Sequence, residues 1–140
     1  MLTSSEKRDY ILRMIAQIRR LVEALMGKVG RNQDAAELLA QARESLNGLL
    51  GPMGDVAQRL DSASAAQMVN DPDILSAWAQ VTAAEAEVHR AAGDAPSAAA
   101  LARRALELAE EANQRALKPD PDLAALIDRL RSQVDAPAAS

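Results

Sequence analysis

His89 is the only histidine in this 140-residue chain, and so the only side chain whose ordinary pKa lies near neutrality. Glu85 stands one helical turn before it, close enough for an ion pair or for two ligands to one metal. Zinc needs three or four ligands, so the pair reads as structural. Cysteine is absent, which removes thiol catalysis, disulfides and thiolate metal sites and fits a reducing compartment.

Gly48, Gly51 and Gly54 imitate the spacing of a phosphate-cradling loop. No strand precedes them, no Lys-Ser or Lys-Thr follows, and Pro52 removes a backbone N–H, so they read as a connection between helices. Asp71, Asp73, Asp120 and Asp122 suggest calcium. A calcium loop, however, alternates its oxygen ligands and ends on a glutamate at its twelfth position. With Pro72 and Pro121 between them, the four acids read as helix starts, with Asp at the cap, Pro in the first turn and Asp at the positive end of the dipole. Glu107, Glu110 and Glu111 read as a solvated face. Trp78 shares a face with Ile74, Leu75 and Val81 and is expected in the core. No catalytic, metal or cofactor site emerges, and the chain is expected not to be an enzyme.

The elements that carry these residues are helices. Alanine occurs 31 times and leucine 18, while Tyr10 and Trp78 are the only aromatics, a composition suited to helix and poor for sheet. The first helix is expected from Ser4 to Met26, with Thr3 and Glu6 as a capping box. Ile11, Met14, Ile15, Ile18, Leu21, Val22 and Leu25 give it one broad apolar face, opposite Asp9, Arg13, Arg20 and Ala24. Gly27 and Gly30 should end it through left-handed dihedrals. A second helix follows to Leu50, capped by Asn32 or Asp34, and Gly51-Pro52-Met53-Gly54 breaks it. A shorter helix is predicted over Asp55–Met68, weakened by Ser62 and Ser64. Asp71-Pro72-Asp73 opens a fourth to about Ala92, Asp94 or Ala95 a fifth to about Leu117, and Asp120-Pro121-Asp122 a sixth to about Val134. Residues 1–134 thus form a single all-α domain of about six helices packed as hairpins, with 135–140 as a flexible tail.

Gly93, Ala98, Ala105, Leu106 and Glu107 have the spacing of the second helix of a tetratricopeptide repeat, which they resemble. Ala86 takes the small position of the preceding helix. Gly30, Ala35, Leu39 and Ala42 repeat that spacing 63 residues earlier, with Glu23 at the small position. Arg8-Asp9-Tyr10-Ile11-Leu12-Arg13-Met14-Ile15 is similar to the opening of an uncharacterised bacterial domain family with a tetratricopeptide-like body. That resemblance implies a helical fold and no reaction.

Charge is uneven within a net −4: residues 1–31 carry seven Lys/Arg against three Asp/Glu, and residues 71–140 seven against twelve. The acidic body argues against nucleic-acid binding, which needs a basic surface. Arg13, Arg19 and Arg20 interrupt the only candidate leader, and no stretch reaches the ~20 apolar residues of a membrane span, so a cytoplasmic protein is expected. The function expected is a non-catalytic interaction module that binds another protein or itself. A homodimer would use Ile11, Ile15, Ile18, Val22 and Leu25, one side of that face meeting the second helix and the other a second copy. The alternative is contact of the basic, amphipathic first helix with a membrane surface.

Overall fold

A computed structural model describes residues 3–29 and 32–135, with the backbone alone at 32 and 33. It is all-α, and no strand occurs among the described residues. The elements are α1 (Ser4–Met26), α2 (Asn32–Leu50), a 3-10 turn (Gly51–Met53), α3 (Gly54–Arg59), α4 (Ser62–Val69), α5 (Pro72–Ala91), α6 (Ala95–Arg115) and α7 (Pro121–Asp135). No described helix is long and apolar enough to cross a membrane.

Local chemistry sets most boundaries. Thr3 Oγ1 accepts the Glu6 N–H at 3.1 Å, and its hydroxyl donates to the Glu6 carboxylate rather than leaving that carboxylate to the Thr3 backbone. Asp71 accepts from the backbone N–H groups of Asp73 and Ile74, Asp94 from Ser97 and Asp120 from Leu123, so each fills donors that the first turn leaves open. Gly93 takes the left-handed φ of 83° that its turn needs. Gly27 does not: it ends α1 in right-handed geometry at φ −71°. The expected stop at Gly30 and the expected Asn32 side-chain cap lie outside the described residues, as do residues 136–140 of the expected tail.

The helix predicted over Asp55–Met68 is two helices. Leu60 is extended, and Asp61 then caps α4 by accepting the Ser64 N–H at 3.2 Å. An aspartate three residues before a serine offers the backbone a fresh start, and that local bond outweighs continuation of α3.

α1 pairs with α2, α5 with α6, and the two hairpins lie side by side so that α1 and α2 both pack on α5. α7 closes the far side against α6, and α4 covers α6 as well. The central helix, α5, is buried without a break from Ile74 to Ala79. α6 buries Ala98, Ala102, Ala105, Ala109 and Ala112, alternating by four and three along one stripe. Side chains this small let helix backbones approach closely. Trp78 is 5 % exposed, in the core as expected.

Candidate functional site

Arg8 and Arg19 stand about three turns apart on α1, hence on one side of it. Arg8 Nη1 lies 3.0 Å from Asp71 Oδ2, and Nη2 pairs with Asp73. Arg19 lies 3.6 Å from Asp122 and 3.9 Å from Asp120. The four acids that read as helix starts therefore do two jobs. They cap or charge α5 and α7, and they hold the basic helix α1 by its flank. No group of three or more His, Cys, Asp or Glu suited to a metal occurs among the described residues.

Beside these pairs α1 and α7 do not close on each other. A groove of about 490 Å³ opens between them, floored by Gln80 and Ala84 of α5. Val22 and Met26 line the α1 wall, with Arg19 and Glu23 at its edge. Ala125 and Leu126 line the α7 wall, with Asp122 and Arg129 at its edge. The groove is apolar along its walls and charged with both signs along its rim. No nucleophile–base pair stands in it.

The residues expected at an interface are used differently. Ile15, Ile18 and Leu25 are enclosed by the chain's own core, Ile18 and Leu25 with no exposed surface. Ile11 and Val22 are half-buried and pack against that core. The face of α1 is wide because it meets two neighbours, and both, α2 and α5, belong to the same chain. The large apolar side chains that α1 leaves exposed are Tyr10, Leu12 and Met26.

His89 does not pair with Glu85. Its Nδ1 lies 3.4 Å from Asp94 Oδ2, across the turn that joins α5 to α6. The Asp94 carboxyl is held below its ordinary value of 3.8, first by the Ser97 hydroxyl and backbone, then by His89. Glu85 instead takes a two-pronged pair from Arg43 of α2, with Nε 3.0 Å from Oε1. Of the three glycines, Gly48 lies inside α2, Gly51 turns at φ 66°, and Gly54 starts α3 with its Cβ position 3.2 Å from Leu50 Cβ. Gly51 and Gly54 thus lie in the connection from α2 to α3, whereas Gly48, expected in that connection, is part of α2 itself.

Arg104 is the functional-looking residue that local pattern reading misses. Its guanidinium sits over the Trp78 ring, 5.2 Å from the centroid. Nη1 donates to Leu60 O and to Ser62 Oγ, each at 2.9 Å, and Nη2 to Ala57 O at 3.4 Å. The Ser62 hydroxyl in turn donates to Glu107 Oε1 at 2.8 Å. Burial pulls the Arg104 pKa down, while the charges of Glu107 and Asp61 act the other way; arginine stays protonated regardless. Ser62, read as a helix weakener, is thus a buried link between α4 and α6. The one signal in the sequence is that position 104 flanks the alanine stripe of α6, where a long cation can lie along apolar surface.

Comparison with protein-family models, with curated proteins and with solved structures found no match to this chain.

Proposed function

We propose that this chain is a non-catalytic interaction module that receives a segment of another protein in the groove between α1 and α7. The observation that carries the reading is the groove: two helix walls held apart over α5, apolar inside and rimmed by Arg19, Glu23, Asp122 and Arg129. Such a surface suits a helix or short extended segment with apolar anchors and flanking charges. The antiparallel pairs α1/α2 and α5/α6, with α7 following, are the kind of helical-hairpin architecture on which interaction surfaces are built. In this reading the cysteine-free chain works in the cytoplasm.

Ala125 is exposed on the groove wall, so Ala125→Arg fills the groove without touching the core. Affinity capture from native lysate should retain partners on the wild-type chain and lose them on Ala125→Arg at equal melting temperature. The same proteins retained on both would refute the groove as the docking site. Light scattering on the purified chain tests self-binding. Of the five residues expected to support a homodimer, Ile15, Ile18 and Leu25 are buried within the chain, and Ile11 and Val22 keep part of their surface exposed.

A second reading is peripheral contact with an anionic membrane surface. It is favoured by the exposed outer stripe of α1, where Lys7, Tyr10, Arg13 and Arg20 follow one another at helical spacing. Flotation with anionic vesicles tests it, and binding that Ala125→Arg leaves intact would favour it over the groove.

A further inference from the structure

On the side away from the α1–α7 groove, α2, α5 and α6 enclose a second cleft of about 300 Å³. That is the small end of the range for ligand pockets, ~300–1,000 Å³. Its apolar lining comes from Leu46, Leu101, Val81 and Trp78, and its polar lining is rich in donors. Arg43 commits Nε and Nη2 to Glu85, which leaves Nη1. Arg104 commits Nη1 and Nη2 to Leu60, Ser62 and Ala57, which leaves Nε without a partner among the described residues. Gln58 donates to Asn47 Oδ1 at 3.0 Å, which leaves the Asn47 amide hydrogens. Both oxygens of Glu85, the one acid on the lining, are taken by Arg43. Asp61 and Glu107, the acids that act on Arg104, open into a different groove with Glu110 and Glu111.

The cleft therefore offers spare N–H donors, one net positive charge and an apolar wall. An ionised carboxylate accepts and does not donate, and it matches guanidinium geometry. We propose that this cleft binds a small organic monocarboxylate, with the carboxylate between Arg43 and Arg104 and the apolar body against Leu46, Leu101 and Trp78. A free acid and a peptide C-terminus share this chemistry, and the volume selects the free acid. The proposal does not depend on the α1–α7 groove.

Trp78 is the only tryptophan and lines this cleft, so its indole N–H resonance and its emission are assignable reporters of the site. Benzoate is the probe and benzamide its neutral control. Benzoate should shift the indole signal saturably, with half-saturation at about 10 mM or below for a ligand of this size. Benzamide should not. Glu85→Gln frees the Arg43 fork and should tighten benzoate roughly tenfold, whereas Arg43→Gln should weaken it roughly tenfold. The Arg43 side chain is half exposed and that of Glu85 partly buried, and melting temperatures check that each variant folds. An unsaturable response, an equal response to benzamide, or two variants that move affinity in the same direction would overturn the proposal. Tighter binding of acetyl-glycyl-leucine than of benzoate would overturn the assignment to a free acid.

Discussion

Asp71 gives its two carboxylate oxygens different work, and three substitutions separate the contributions. Oδ1 accepts the Asp73 N–H at 2.9 Å and the Ile74 N–H at 3.3 Å, while Oδ2 meets Arg8 at 3.0 Å. Loss of an N-cap costs about 1 kcal/mol. The Arg8 pair is worth a few tenths, because the Arg8 side chain is 44 % exposed and screened by solvent. The negative charge at the helix start adds about 0.5 kcal/mol. Asp71→Ala should therefore cost about 2 kcal/mol, and Asp71→Asn, which keeps the capping oxygen, less than about 1 kcal/mol. Asp73→Ala, which removes charge and no cap, should resemble Asp71→Asn. Urea unfolding followed by circular dichroism reads the differences. With a slope of about 2 kcal/mol per molar, Asp71→Ala should move the midpoint by about 1 M. Salt at about 1 M should close the gap between wild type and Asp71→Asn and leave the gap between Asp71→Asn and Asp71→Ala. Equal midpoints for Asp71→Ala and Asp71→Asn would refute the capping argument and leave the ion pair as the whole effect.

Ala105→Glu should unfold the protein or lower its melting temperature steeply, because Ala105 has no exposed surface, while Arg103→Glu on the solvent side should be mild; similar melting curves would place α6 in the wrong register. Ile18→Arg should give unfolded chain rather than a folded monomer, since its side chain is wholly enclosed by the core, and size-exclusion chromatography with circular dichroism distinguishes the two. Asp61 and Asp94 both have carboxyl pKa values held below 3.8 in the fold, through Ser64 and Ser97. A depressed acid stabilises the fold above its unfolded pKa and loses that contribution as pH falls through its folded one. Helicity should therefore hold from pH 7 down to the ordinary carboxylate range and decline below it. Asp61→Asn/Asp94→Asn should flatten the decline, and an unchanged acid profile for that double variant would show that other groups govern it.

The helix starts were legible because their chemistry is local. Thr3, Asp71, Asp94 and Asp120 each bond within three residues along the chain, so spacing alone reveals them. The burial of Trp78 and the alanine stripe of α6 follow from periodicity in the same way. The break between α3 and α4 was missed because Ser62 and Ser64 looked like defects in one helix, when Asp61 uses Ser64 to start another. What covers the broad face of α1 was also hidden. Its width was readable, but whether α5 or a second copy meets it depends on how the hairpins stack. The pairs Arg8–Asp71, Arg43–Glu85 and Arg104–Ser62 join residues more than forty positions apart, and no local pattern announces them.

The clamp on α1 also bears on how the chain is made. Arg8 waits for Asp71, 63 residues later, and Arg19 waits for Asp120 and Asp122, about a hundred residues later. At about 5–20 residues per second, α1 leaves the ribosome about 2–9 s before the start of α5 and about 5–19 s before the start of α7. α2 follows at once and shields one side of Ile15, Ile18 and Leu25, while the side that belongs to α5 stays bare through that interval. The nascent chain thus presents a basic helix with an uncovered apolar flank, the form that holding chaperones recognise, and it loses that form when the second hairpin emerges and docks.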